Sequence, residues 1–155
     1  MKFILVTDIL VKAVSTVLGI GYLPLVPGTF GSLAGVGLFF LLAGLPIAAY
    51  FLVIAGIIIL GLLTCGRMEK LQNRKDPGCI VIDEVAGMLL ALSFLPYDFK
   101  IIFLAFVFFR LLDTFKPYPA IRLQNRHGAV GVMGDDLVAG IYTNIVLQLI
   151  IRITL

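Results

Sequence analysis

Two basic and five acidic side chains carry the chemistry open to this sequence: Arg110 and Lys116, with Asp83, Glu84, Asp113, Asp135 and Asp136. Phe109–Pro119 reads F-R-L-L-D-T-F-K-P-Y-P. That order puts Arg110, Asp113 and Lys116 at i, i+3 and i+6, roughly along one face of a helix. Pro117 and Pro119 then end the helix, because the ring clashes with the preceding turn and removes a donor. All seven side chains border apolar runs, and an ionised carboxylate within a membrane costs about 2.5–3.5 kcal/mol on insertion scales. Grouped carboxylates also repel one another, so they take up protons or find cations. Arg110 and Lys116 compensate two of the five acids. A divalent ion is the economical partner for the remainder, and all-oxygen ligands select hard Mg2+, Mn2+ or Ca2+. The bland alternative is a structural network of ion pairs.

Two further stretches could handle phosphate. Pro27–Ser32 reads P-G-T-F-G-S. Gly28 and Gly31 permit unusual backbone angles, and Thr29 or Ser32 can cap the helix that follows. Free N–H groups at a helix start favour anions, phosphate above all. His127–Gly134 reads H-G-A-V-G-V-M-G and leads into Asp135 and Asp136. Gly128, Gly131 and Gly134 make a tight, flexible approach that either cradles a phosphate or only forms turns. His127, the only histidine, is either a surface residue or part of the site. Cys65 lies in an apolar run and reads as a small core residue. No Arg stands six positions after Cys65 or Cys79, so the Cys-x5-Arg phosphatase loop is absent.

These side chains must be positioned by membrane helices. Hydrophobic residues make up 61% of the 155 and charged ones 14%, with mean hydropathy +1.11, against about 45–50% and 25% in soluble domains. No charged side chain occurs between Lys12 and Arg67, a gap of 54 residues that holds two spans of about 20 and a turn. The first span begins within the punctuated stretch 19–32 and runs to Leu45, with Gly35, Gly37 and Gly44 allowing close packing. Pro46 marks the turn, and the second span ends at Gly66. Further apolar runs cover Val85–Tyr97, Ile101–Phe109 and Leu137–Ile151. Residues 1–20 suit an amphipathic helix that lies in the interface or docks on the bundle. The expectation is an all-α polytopic membrane bundle in one domain, 1–155, with about four or five transmembrane helices plus the N-terminal amphipathic helix.

Charge placement orients that bundle. The net charge of +3 is clustered between apolar runs, which is membrane topology and no sign of nucleic acid. Loops 67–82 and 110–134 hold four Lys/Arg each, so both face the cytoplasm, and five spans leave the C-terminus outside. Asp98 and Lys100 mark the outer ends of the third and fourth helices. Counting about 20 residues back and forward from them places Asp83, Glu84, Arg110 and Asp113 at the inner rim. Asp135 and Asp136 open the fifth run at the same side, so five of the nine acids converge on one level from three helices.

P-G-T-F-G-S at Pro27–Ser32, D-E-V-A-G at Asp83–Gly87, F-R-L-L-D-T-F-K-P-Y-P at Phe109–Pro119 and H-G-A-V-G-V-M-G-D-D-L-V-A-G at His127–Gly140 together resemble the phosphatidylglycerophosphatase A family. Ala129 stands where the family often has the second Gly of a pair after its His. The resemblance implies a Mg2+-dependent lipid phosphatase of the bacterial inner membrane, its site facing the cytoplasm, with an anionic phospholipid, phosphatidylglycerophosphate, as substrate. It implies Asp83, Glu84, Asp113, Asp135 and Asp136 as catalytic acids and metal ligands, with Lys116 as a further catalytic group. Thr29, Ser32, Arg110, Lys116 and His127 are then the substrate-binding candidates. The main rival is a cation- or proton-coupled transporter using the same carboxylates, which the uncharged first two spans disfavour. A CDP-alcohol lipid synthase expects a D-G-x-x-A-R signature, absent here, and there is no Asp-x-Asp pair for an aspartyl phosphatase.

Overall fold

The computed structural model describes residues 2–154, and the side chains of 7–153. Among these it is all helical: α1 (Lys2–Ser15), α2 (Pro27–Leu41), α3 (Ile47–Gln72), α4 (Ile82–Leu92), α5 (Phe99–Phe115), α6 (Ala120–Gln124) and α7 (Ala129–Thr154). A 3-10 turn, Ile20–Tyr22, joins α1 to the approach of α2.

The architecture is built around α4. Its side chains are buried on every face, from Ile82 and Asp83 through Met88 and Leu89 to Leu92. It packs mainly on α7 and α2, with α3 and α5 beside it. Such a helix has no water to satisfy its last carbonyls, so side chains do it. Asn144 of α7 donates from Nδ2 to the carbonyls of Ala91 (3.0 Å) and Ser93 (2.6 Å). Tyr50 of α3 donates its hydroxyl to the Leu89 carbonyl at 2.7 Å. Ser93 reaches the same oxygen, so Tyr50→Phe is expected to lower stability by only about 1 kcal/mol, measured by thermal melting in detergent.

The helix lengths correct the expected number of spans. Among the described residues, two helices are long and apolar enough to cross a membrane, α3 and residues 129–153 of α7, fewer than the four or five expected. Each has 26 residues, about 39 Å at 1.5 Å per residue, against a hydrocarbon core of about 30 Å. The 15 residues of α2, 11 of α4 and 17 of α5 give only about 22, 16 and 26 Å. The physical reason is that apolar sequence also fills turns and core. Residues 42–46 and 93–97 are connections, and α4 is apolar because protein surrounds it. Leu52 and Leu63 on α3, Phe103 and Leu111 on α5, and Ile145 and Leu149 on α7 point outward, an apolar exterior suited to lipid.

Helix boundaries also move. α3 continues past Gly66 to Gln72, because Cys65 and Met68 keep its inner face buried while Arg67 bonds Asp8 of α1 at 2.6 Å. Cys65 is thus the core residue expected. α2 begins at Pro27, inside the punctuated stretch as expected. Its N-cap is Val26 with no side-chain bond, so neither Thr29 nor Ser32 caps it. Gly35 meets Met88 and the Val85 carbonyl closely, whereas Gly37 and Gly44 meet nothing within 4 Å and are not packing sites. Asp98 caps α5 by accepting from the N–H groups of Lys100 and Ile101 (2.8 and 3.2 Å), and α5 stops before Pro117 as expected.

Candidate active site

The site is set by how α4 and α7 cross. A Cβ on Gly140 would land on the carbonyl oxygen of Gly87. One on Gly87 would lie 2.6 Å from the Asp136 carbonyl and 2.7 Å from the Phe109 ring. Only glycine lets the two backbones meet this closely. One turn earlier each helix carries an acid, Asp83 on α4 and Asp136 on α7; one turn later Ala91 meets Asn144. The contacts step together by four residues, so the helices run parallel and in register. Asp83, Glu84 and Asp136 consequently offer carboxylate oxygens within 4.8 Å of one another.

The cations come from α5. Arg110 Nη1 pairs with Asp113 Oδ2 at 2.7 Å and donates weakly to Ser32 Oγ at 3.5 Å. Ser32 Oγ in turn donates to the Gly28 carbonyl at 2.9 Å. Lys116, in a left-handed conformation after α5, bonds Asp135 and stands 3.8 Å from Asp113. The first turn of α2 closes over this group. A Cβ on Gly28 would strike Glu84 Oε1 and lie 3.2 Å from the Arg110 guanidinium. Burial pulls the Lys116 ammonium toward neutrality, but Asp135, Asp136 and Asp113 outweigh it and hold its pKa above the ordinary value.

Each residue singled out in the sequence can now be placed. The five acids and both cations do gather, but in two sets. Asp83, Glu84 and Asp136 form the close triad, while Asp113 and Asp135 engage Arg110 and Lys116. Asp135 and Asp136 lie in the second turn of α7, which starts at Ala129 instead of Leu137. Gly131 and Gly134 are therefore helical and form neither a phosphate cradle nor a turn. They are small because α6 packs there, against the Arg126 carbonyl and Leu123. Ser32 supports Arg110, and Thr29 is half-buried on the first turn of α2. His127 is exposed and lines a cleft of about 580 Å3 that contains none of the five acids.

Two acids were missed. Glu69 accepts from the N–H of Asp76 (2.9 Å, Oε1) and of Gly128 (2.9 Å, Oε2), tying the end of α3 to the loop before α4 and to the start of α7. Asp76 is half-buried, and burial together with the negative charge of Asp135 pushes its carboxyl above the ordinary range. Their signal was position: both stand in the basic stretch 67–82, at the level where the other acids gather.

Asp83 Oδ1, Glu84 Oε2, Asp135 Oδ1 and Asp136 Oδ1 are buried with no hydrogen-bond partner among the described residues. Buried acceptors without donors are rare in folded proteins unless water or an ion serves them. Oxygens of this kind, three of them from the close triad, fit a hard divalent cation.

Buried acids that could hold a metal ion, fixed beside two cations in an apolar helical bundle, fit the class of membrane enzymes that work on phosphate. The particular family follows from comparison. Residues 13–151 match the family Phosphatidylglycerophosphatase A, and the chain belongs to that family. It is 43% identical over 126 residues to phosphatidylglycerophosphatase A of Escherichia coli, covering 79% of this chain and 73% of that protein. It is 34% identical over 131 residues to phosphatidylglycerophosphatase A of Haemophilus influenzae (83% and 80%). It is also 32% identical over 145 residues to a Bacteroides thetaiotaomicron protein provisionally named a phosphatidylinositol-3-phosphatase (86% and 89%). No solved structure matches the chain. The protein is a lipid phosphatase, and the transporter reading is set aside.

Proposed function

We propose that this protein hydrolyses the terminal phosphomonoester of phosphatidylglycerophosphate, giving phosphatidylglycerol and phosphate, at the cytoplasmic face of a bacterial inner membrane. The single observation that supports the site is the set of four buried, unpartnered carboxylate oxygens beside Arg110 and Lys116. The names of two relatives support the substrate.

Asp83, Glu84 and Asp136 would hold the ion, Mg2+ in this reading. When bound, such an ion neutralises phosphoryl charge and acidifies water at the site. The chain's own residues do the rest. Arg110 presents a planar guanidinium to two phosphoryl oxygens, and Asp113 together with Ser32 fixes its plane. Lys116 supplies a point charge, kept protonated and aimed by Asp135 and Asp113. Asp135 and Asp113 are thus positioning residues. The P–O bond to glycerol breaks as a P–O bond to water forms, and the proton lost by water replaces the bond on the departing alkoxide. Closure by the first turn of α2, with Thr29 beside it, limits solvent at the phosphoryl group.

In one seating consistent with this, α3 and α7 span the bilayer while α2, α4 and α5 share its inner part. All 155 residues then act as one domain. Purified protein in detergent with phosphatidylglycerophosphate is expected to release phosphate with Mg2+ and to stop with chelator. No metal-dependent release would defeat the proposal.

A further inference from the structure

The cleft beside His127 is not used by the chemistry above. It lies where the last turn of α3 meets the start of α7, and measures about 580 Å3. Lys70, Arg74, Lys75 and His127 line it. Its one acid, Glu69, already accepts from two backbone N–H groups, so that carboxylate is committed to holding the walls together. The negative end of α3 is also partly answered. The N–H groups of Asn73 and Arg74 donate to the Lys70 and Glu69 carbonyls, and Asn73, at φ 47, turns the chain so that Arg74 and Lys75 join the rim. What remains is a positively charged recess. It sits at the end of a helix whose apolar part has mean hydropathy 2.6, which is headgroup depth for a spanning segment. Glu69 also accepts from the Asp76 N–H, and Gly128 of the cleft wall immediately precedes α7, whose second turn carries Asp135 and Asp136.

We propose that this cleft binds the phosphodiester of an anionic phospholipid, as a second anion site separate from the phosphoryl site. It takes a substrate by its diester while Arg110 and Lys116 take the monoester. A substrate with two phosphates is thereby distinguished from one with a single phosphate. The kinetic consequence rests on the phosphatase reading; the binding consequence does not.

The binding test is native mass spectrometry of the detergent-solubilised protein with phosphatidylglycerol, an anion with a diester and no monoester, and with phosphatidylcholine, whose diester is neutralised by a quaternary ammonium that the basic cleft repels. The parent is expected to retain phosphatidylglycerol about tenfold better, and Lys70→Gln/Arg74→Gln/Lys75→Gln to lose that preference. Lys70→Arg/Lys75→Arg should keep it. These side chains are exposed, so the variants are expected to fold. Equal retention of both lipids by the parent, or an unchanged preference in the triple Gln variant, would overturn the proposal. Millimolar inorganic phosphate that strips phosphatidylglycerol from the parent would overturn it too, since the cleft would then be a site for free phosphate. In turnover of phosphatidylglycerophosphate, the triple Gln variant should show KM about tenfold higher with kcat within about twofold. A fall in kcat with KM unmoved would count against a binding role. No turnover in the parent would defeat the phosphatase proposal alone and leave the lipid-retention result to decide this one.

Discussion

Asp136→Asn is expected to lower phosphatase turnover by about a thousandfold and to leave a protein that melts no lower than the parent in chelator. The two outcomes come from one local fact. Asp136 is buried, its Oδ1 has no partner among the described residues, and Asp83 and Glu84 offer oxygens within 4.8 Å. Without a cation this is a group of like charges in a poorly solvated place, which opposes folding. An amide keeps the volume and removes one charge, so the empty site relaxes. The same change removes a ligand, so a bound ion is held less well and phosphate chemistry suffers. Mg2+ should raise the Tm of the parent and raise that of the variant much less. A purely structural network predicts the opposite sign, because breaking a buried ion pair costs about 3–5 kcal/mol. Phosphate release and thermal melting, each with Mg2+ and with chelator, separate the two. Retained turnover would take Asp136 out of the site, and a lower Tm in chelator would favour the ion-pair network.

The sequence made the acids legible because charge is costly in apolar surroundings. Asp83, Glu84, Asp113, Asp135 and Asp136 stand out against long uncharged runs; counting from Asp98 and Lys100 puts the first three at the inner level, and the last two join them by opening the fifth run. Asp98 does begin α5, but the count assumes spans of about 20 residues, whereas α4 has 11 and α5 has 17. It fails where hydropathy is asked to give helix length. Hydropathy does not separate a lipid-facing residue from one facing protein, so buried α4 read as a span. Gly131 and Gly134 read as loop because glycine lowers helix propensity, whereas tertiary packing against α6 is what they serve. Division of the acids into a triad and two cation-bound partners depends on side-chain direction around three separate helices. Periodicity within any one helix does not contain it. Glu69 was hidden for a related reason: its partners are backbone N–H groups 7 and 59 residues away, and backbone groups leave no mark in a sequence.

Gly140→Ala is the substitution expected to damage the frame most. Alanine ordinarily improves a helix, by up to about 1 kcal/mol over glycine. Gly37→Ala on α2 should show that gain, since nothing lies within 4 Å of its added methyl. At Gly140 the methyl would fall on the Gly87 carbonyl, a backbone atom that no rotamer change can move aside. The helices must separate, and overpacking of this kind costs about 1–3 kcal/mol, which cancels the propensity gain or exceeds it up to about threefold. Asn144 would also lose its reach to Ala91 and Ser93, exposing carbonyls that have no water to turn to. One turn the other way, Asp83 and Asp136 would draw apart. A displacement of about 1 Å at a reacting centre costs on the order of 100-fold in rate, so turnover should fall even in molecules that remain folded. Melting and phosphate release of Gly140→Ala, with Gly37→Ala alongside, test this directly. If the two variants melt alike, α4 and α7 do not meet at these glycines, and the triad of Asp83, Glu84 and Asp136 has lost the contact that assembles it.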